Sequence, residues 1–486
     1  MSEASLICAT VTAGTLAGLR RERDAVTGAD LVELRLDTVS DPDVDGALAG
    51  RPGPVVLTCR PVNQGGHYRG SEESRRALLM RALDAGAEFV DLEWNAGFDG
   101  VIRERGGRNV VLSMHDFEGI PADLSARVDA MLATGAEVIK VAVTARCLCD
   151  CLPLLTIGSR HAGRRIVLVA MGEAGIPTRV FAARFGSCWT YAGTGVAPGQ
   201  ISVERLVGEF NFRRIRADTM IYGLLGRPIS HSLSPAMHNA AFEELEHNAA
   251  YVPLAATDIE DGMRFARQVG LAGASVTTPF KVGVIPHLDS SDEVGVAIGA
   301  VNTIAWRDGG YVGTNTDASG FLMGLAAARV PDRPRVAVLG TGGAARAVAT
   351  AFGGTRACVT LYSRSRARAD AVATLVGAQA AARPVPPGSW DVLVNATPVG
   401  THPDVTRSAF DEGTYDGRVV YDLVYNPIET RLLRDARAAG CQTISGLEML
   451  IGQAQQQAEW WTGRRPSAAC LRGAALRSLA HVVEHA

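Results

Sequence analysis

From Leu6 to about Arg216 the chain alternates short apolar runs with amphipathic stretches. The apolar runs read as strands at residues 6–10, 31–36, 54–59, 89–92, 109–114, 138–143 and 166–170, with a shorter one around 187–191. Between them, segments such as 71–85 and 123–135 carry the helical period. Eight strand–helix alternations in a segment of this size predict a (β/α)8 TIM barrel.

A basic run at 210–218, with Arg213, Arg214 and Arg216, precedes a new strand at 219–225. The first domain boundary falls there, giving a barrel over 1–216. The arginines themselves read as a solvated helix end. Further on, an apolar strand at 335–339 runs directly into Gly340-Thr341-Gly342-Gly343-Ala344-Ala345 and a helix, with later strands at 359–362, 392–395 and 419–422. This pattern predicts an α/β domain over 219–321 and a Rossmann domain over 322–446. The Ala- and Gln-rich stretch 447–486 reads as helices that complete the 219–321 domain. No internal repeat interrupts this α/β plan.

Composition narrows the partners. The 486 residues are 47% hydrophobic and 20% charged, which is ordinary for about two to four globular domains. Aromatic residues are only 6%, so small aliphatic side chains must build the core, as in parallel α/β layers. The net charge is −3, from 48 basic and 51 acidic residues. Without a basic stripe, no nucleic-acid partner is expected, and without an apolar run of about 18 residues no membrane partner is expected. Residues 1–16 show neither a signal nor a transit pattern. The nine cysteines lack framework spacing, so a reducing, cytoplasmic setting is expected. Cys147, Cys149 and Cys151 have no C-x-x-C partner pair and read as free thiols. No metal site is expected.

Candidate chemistry in the barrel lies where polar residues break apolar strands near their C-terminal ends. Glu33, Arg35 and Asp37 alternate with Leu34 and Leu36, so a continuous strand would aim all three into the barrel mouth. Arg60, Glu93 and His115 each follow an apolar run. Lys140 sits within Val138-Ile139-Lys140-Val141-Ala142-Val143. A lysine there is buried, and burial disfavours the charged ammonium and frees the amine as a nucleophile. Beside it, His115 with Glu93 reads as a general acid/base.

Five motifs in order make this half resemble the type I 3-dehydroquinate dehydratases: Glu-Leu-Arg-Leu-Asp (33–37), Asp-Leu-Glu (91–93), Ser-Met-His-Asp-Phe (113–117), Ile-Lys-Val-Ala (139–142) and Ala-Pro-Gly-Gln (197–200). The resemblance implies a Schiff-base dehydration of 3-dehydroquinate to 3-dehydroshikimate. Lys140 would attack the ketone, His115 would move the proton, and Glu93 would orient His115 and set its pKa. Arg179 would bind the substrate carboxylate. Glu33, Arg35, Arg60 and Gln200 would hold the remaining groups. Val196 stands where the family commonly has Ser, so one loop hydroxyl is missing. That predicts weaker substrate binding, by about 0.5–1.5 kcal/mol.

In the second half, the glycine-rich turn between strand and helix fits a dinucleotide pyrophosphate. The next strand ends in Ser363-Arg364-Ser365, followed by Arg366 and Arg368, with no acid for a free ribose hydroxyl. That favours NADP over NAD. Ser230-His231-Ser232-Leu233-Ser234-Pro235, Ser275-Val276-Thr277-Thr278-Pro279-Phe280-Lys281, Ala300-Val301-Asn302-Thr303 and Asn315-Thr316-Asp317 precede that turn. With Asn395-Ala396-Thr397-Pro398, Tyr421-Asp422-Leu423-Val424-Tyr425-Asn426-Pro427 and Gly446-Leu447-x-Met449 after it, they resemble shikimate dehydrogenase.

This second resemblance implies that 219–321 binds shikimate or 3-dehydroshikimate. Ser232 and Ser234 would hold the carboxylate, and Thr277, Asn302, Tyr425 and Gln453 would contact the hydroxyls and carboxylate. Lys281 and Asp317 would be the catalytic pair. Gly340, Gly342, Gly343, Ala344, Ser363, Arg364 and Arg368 would bind NADP(H), with Leu423 and Gly446 flanking the nicotinamide. His231, His238 and His287 read as structural or solvated. The expectation is a bifunctional enzyme acting on 3-dehydroquinate and 3-dehydroshikimate. The alternatives are a quinate/shikimate dehydrogenase with a weakened dehydratase half, or a metabolite-sensing regulator built on the same domains.

Overall fold

The computed structural model describes residues 5–195 and 198–484. Val196, expected to weaken substrate binding, lies outside the described residues, as does Ala197. The chain divides into two compact units, one reaching to Ile221 and including Asn248–Gly270, the other Tyr222–His247 with Leu271 onward.

The first unit holds eight strands: β1 (Leu6–Val11), β2 (Leu31–Arg35), β3 (Val55–Thr58), β4 (Phe89–Glu93), β5 (Val110–Asp116), β6 (Val138–Thr144), β7 (Ile166–Met171) and β8 (Trp189–Ala192). They lie in the order β7-β6-β5-β4-β3-β2-β1-β8. A parallel bridge between Ile166 and Ser187 joins the two ends, and Cys188 N donates to Ile166 O at 2.8 Å. The result is the expected parallel barrel.

Alternation along each strand sorts the interior into layers. Cys8, Leu31, Val56, Val111, Val138, Val167 and Trp189 pack as one buried cluster with Phe89 against it. Two residues further along the same strands come Thr10, Glu33, Thr58, Ser113, Lys140, Val169, Tyr191 and Asp91. An apolar floor therefore carries a polar layer above it.

Two strand ends differ from the apolar pattern. β5 runs on through His115 and Asp116, because these pair in register with Ala142 and Val143 of β6. β2 stops at Arg35, and Leu36–Thr38 turns into a 3-10 helix. The period-2 alternation ends there, so Asp37 folds back onto Arg35 instead of pointing into the mouth with Glu33. The same unit also contains β10 (Ala249–Ala255) and a helix over Ile259–Val269. The Asp261 carboxylate of that helix accepts from Leu148 N (3.1 Å) and Cys149 N (2.9 Å). Cys147, Cys149 and Cys151 are free thiols at this turn.

The second unit is built from two sheets. β9 (Met220–Gly226), β11 (Leu271–Val276), β13 (Thr303–Arg307), β14 (Gly310–Thr314) and β12 (Ser290–Ser291) follow one another in the first. The other is wholly parallel and contains β15 (Arg335–Leu339), β16 (Cys358–Ser363), β17 (Gln379–Ala382), β18 (Val392–Asn395), β19 (Val419–Asp422) and β20 (Gln442–Ser445). Its order, β17-β16-β15-β18-β19-β20, is the 3-2-1-4-5-6 of a Rossmann fold. Alternating residues of β15 enter different cores, Val336 and Val338 on one face and Ala337 and Leu339 on the other. Both faces are thus covered, as a parallel sheet requires. The C-terminal stretch forms helices over Gly446–Thr462 and Ala468–Glu484. They pack Leu447, Ile451 and Leu471 against Leu233, Met237 and Ala241 of the earlier domain. Among the described residues no helix is long and apolar enough to cross a membrane.

Candidate active sites

The barrel site is a network of buried charges. Lys140 Nζ donates to Asp91 Oδ2 at 3.1 Å and to Glu33 Oε1 at 3.4 Å, and lies 4.1 Å from the centre of the Tyr191 ring. Glu33 also accepts from Thr10 Oγ1 (3.0 Å) and Thr58 Oγ1 (2.9 Å). Burial alone would raise the Glu33 carboxyl, but Lys140 and then Arg35 hold it below the usual range. Asp91 accepts from Ser113 Oγ at 2.5 Å and pairs with Arg60 at 2.8 Å. Burial opposes its charge too, yet Arg60 and Lys140 keep its carboxyl far below the ordinary value. Removing either partner from such a cluster leaves an uncompensated buried charge, worth about 3–5 kcal/mol.

Glu93 departs from its expected role. Its two oxygens accept from Arg60 Nη1 and Arg75 Nη1, each at 2.7 Å. Arg75 comes from the helix Glu72–Asp84, which Ser71 caps. Glu93 therefore braces the arginines instead of bonding His115, whose Nδ1 has no hydrogen-bond partner. Burial, then the Arg60 and Lys140 charges, hold the His115 imidazole well below its ordinary pKa, against a smaller opposing pull from Asp91. Asp91 is the carboxylate acting on His115, and it escaped the sequence reading. Its signal was present, since it is a charge in an apolar strand at the same period-2 position as Glu93.

Glu33, Arg35, Arg60, His115, Lys140, Arg179 and Gln200 line one cavity of about 110 Å³, together with Gln64, Phe117 and Tyr191. Arg179 is 2% exposed. Its guanidinium donates to Tyr191 O (3.3 Å) and Pro198 O (3.4 Å), and its Nε has no partner. Burial without a carboxylate pulls its pKa down to about 10. That is the electrostatic setting of a site for an anion. Arg35, by contrast, is committed to a bidentate pair with Asp37 at 2.9 and 2.7 Å.

In the second unit, Lys281 Nζ meets Asp317 Oδ2 at 2.5 Å. Asn302 Nδ2 holds the other Asp317 oxygen at 2.8 Å, and Asp317 N donates to Asn315 Oδ1 at 2.9 Å. Behind them Gln457, unforeseen from sequence, donates to Asn302 O (3.1 Å) and Thr303 Oγ1 (2.9 Å). It also accepts from Ser275 Oγ at 2.8 Å. His238, read as structural, contacts the same Gln457 at 3.1 Å, and burial lowers its pKa to about 4. The Ser232 side chain is a partner of the Tyr425 phenol, whose pKa burial raises. Ser234 is 7% exposed and its N donates to Ser232 Oγ at 3.2 Å. Thr277 N bonds Leu225 O at 2.9 Å, opening the turn that carries Lys281. Gln453 is 8% exposed and bonds Leu450 O at 3.0 Å.

The glycine-rich turn lies between β15 and the helix Gly343–Ala351. Gly340 has φ +122°, and a Cβ there would stand 3.0 Å from Ala396 O. At Gly343, on the first turn beside Ala344, a Cβ would come within 3.1 Å of Lys281 Cδ. A bare helix N-terminus thus faces the lysine, which suits a dinucleotide phosphate bound next to the reacting groups. At the end of β16, Ser363 Oγ accepts from Ser365 N at 3.2 Å. Arg364 and Arg368 are exposed there, while Asp370 occupies Arg366 at 2.9 Å. At Gly446, a Cβ would lie 2.3 Å from Leu423 O, so only glycine fits. These residues fit NADP. Among the described residues no group of His, Cys, Asp or Glu is placed to hold a metal ion.

Fold and site together define a class: an amine-bearing (β/α)8 barrel joined to a dinucleotide-dependent α/β oxidoreductase. Comparisons with known proteins agree. The model of "Type I 3-dehydroquinase" matches residues 7–216. The "Shikimate dehydrogenase substrate binding domain" matches 224–304, and the "Shikimate 5'-dehydrogenase C-terminal domain" matches 446–476. A chloroplastic bifunctional 3-dehydroquinate dehydratase/shikimate dehydrogenase of Arabidopsis thaliana is 34% identical over 94% of this chain and 82% of its own length. An NADP(+) shikimate dehydrogenase of Shouchella clausii is 37% identical over 52% of this chain and 96% of its own. A solved shikimate dehydrogenase in complex with NADP+ has a TM-score of 0.52 at 34% identity, covering 55% of this chain and 97% of that one. The chain belongs to the bifunctional 3-dehydroquinate dehydratase/shikimate dehydrogenase family.

Proposed function

We infer that this chain carries out two consecutive steps of the shikimate pathway. It dehydrates 3-dehydroquinate to 3-dehydroshikimate and then reduces that product to shikimate with NADPH. The observation that carries the reading is the shared cavity of Lys140, His115 and Arg179, which brings together a nucleophile, an imidazole and a buried guanidinium with no carboxylate partner. On this reading residues 1–216 are the dehydratase. Residues 219–321 with 447–486 bind shikimate, and 322–446 bind NADP.

In the dehydratase, the Lys140 amine adds to the substrate ketone, and loss of water gives an iminium. The iminium acidifies the neighbouring C–H. His115 takes that proton and returns it to the leaving hydroxyl, and hydrolysis frees Lys140. A neutral His115 is the form a base needs, and its surroundings favour that form. Asp91 and Glu33 hold the amine in place, and Arg179 takes the substrate carboxylate.

In the dehydrogenase, NADPH supplies the hydride when bound. Ser232, Ser234, Thr277, Asn302, Tyr425 and Gln453 orient the ketone's ring. Lys281 delivers a proton to the developing alkoxide, held on target by Asp317, which Asn302 fixes in turn. Gly340, Gly342, Gly343 and Ala344 would hold the pyrophosphate. Ser363, Arg364 and Arg368 would hold the ribose phosphate, and Leu423 and Gly446 the nicotinamide.

Steady-state assays of both half-reactions on the intact chain test this. Each substrate should turn over, and borohydride with 3-dehydroquinate should leave an adduct on Lys140. Absence of dehydratase turnover, or an adduct on another lysine, overturns the dehydratase assignment.

A further inference from the structure

β16 and β17 are parallel neighbours whose last residues, Ser363 and Ala382, pair in register. The next residue on each strand is an arginine, Arg364 and Arg383. Both therefore stand at the carboxyl edge of the sheet, the side on which open α/β folds bind their ligands. Arg383 is half-buried. Its Nη1 donates to Ala409 O at 3.1 Å, and its Nε is buried without a partner. Burial and then the Arg364 charge lower its pKa, with Glu412 opposing part of this. Two guanidiniums so placed repel each other unless an anion lies between them. Arg366, by comparison, already has Asp370.

We propose that Arg383 belongs to the cofactor site, where it closes with Arg364 on the ribose 2′-phosphate and helps to distinguish NADP from NAD. The inference rests on the NADP reading above and adds to it a residue from a different strand, 19 positions beyond Arg364. The Ala409 carbonyl anchors one end of the guanidinium, so less freedom is lost when it binds a phosphate.

Equilibrium titration of the full chain with NADP+, NAD+, adenosine 2′,5′-bisphosphate and 5′-AMP tests this without turnover. Arg383→Gln should weaken NADP+ and the bisphosphate by about tenfold or more, the loss of one hydrogen bond to a charged group. It should leave NAD+ and 5′-AMP unchanged. Arg383→Lys, which keeps the charge, should recover part of the loss and serves as the control for folding, along with an unchanged melting curve. Equal weakening of NADP+ and NAD+, or no weakening of either, overturns the proposal. If the unaltered chain itself shows no preference for NADP+, the NADP reading falls and takes this inference with it. If that preference is present and survives Arg383→Gln, only the role of Arg383 falls.

Discussion

The two lysines of this chain are built for different work. Lys140 is on a strand inside a closed barrel, between two buried carboxylates and over the Tyr191 ring, with its side chain 8% exposed. Lys281 is in a turn after β11, holds one carboxylate at 2.5 Å, and is 18% exposed. A lysine that forms a covalent bond with substrate has to be fixed and dry. Its cage of Asp91, Glu33, Thr58 and Ser113 supplies the order that a near-attack geometry needs. A lysine that passes a proton needs one anchor and room to reach. Asp317, Asn302 and Gln457 stiffen the anchor and leave the ammonium partly open.

The sharpest break in this comparison is to remove each lysine in turn. Lys140→Ala should lower dehydratase turnover by roughly 10⁴-fold or more, the scale seen when a covalent catalyst is deleted. Dehydrogenase turnover should be unaffected. Lys281→Ala should lower dehydrogenase turnover by about 10²–10⁴, the range for one acid–base group, and spare the dehydratase. Steady-state kinetics of both reactions on both variants measure this. Parallel losses in either variant would mean that the two sites are not separate.

Arg179 sharpens the barrel side alone. Arg179→Gln removes the guanidinium read as the carboxylate partner. It should raise the dehydratase KM with a smaller effect on kcat, lowering kcat/KM by about ten- to a hundredfold. A fall confined to kcat would place Arg179 away from the substrate carboxylate.

What the sequence made legible follows the same division. Lys140 stood out because it is the one charge among five apolar residues of a strand, and the parity of β6 puts it inside the barrel. Asp91 carried the same signal and was overlooked beside Glu93, because no local feature says which of two carboxylates two residues apart meets a lysine 49 positions away. Asp37 was misplaced because alternation was extended past a strand end that only the 3-10 turn reveals. Arg75 and Gln457 reach their sites from helix faces, where neither period nor neighbours mark them. The edge strands β17 and β20 were missed for a related reason. Gln-Ala-Ala-Ala has none of the bulky β-branched character that marks a strand, and Gln-Thr-Ile-Ser has it at only two adjacent positions, too short a run to stand out; it is β16 and β19 that hold them in the sheet.

The gentlest test concerns pH. A base must be neutral to act, and the folded surroundings of His115 hold its pKa below the ordinary value of about 6.5. The acidic limb of dehydratase kcat/KM should therefore lie below pH 6.5, with a flat profile from about pH 8 down to that point. The change over that interval should be less than about twofold. The same shift acts on stability with a definite sign. As pH falls through the ordinary histidine range, the unfolded chain takes up the proton and the folded chain does not, so the folded state loses ground until its own lower pKa is reached. Arg60→Met removes the largest charge acting on His115 and should move the kinetic limb upward, even though activity also falls as Asp91 and Glu93 lose a partner. A limb already centred at or above pH 6.5 in the unaltered chain would show that His115 is not held neutral, and that the arginine and lysine charges around it do not set its titration.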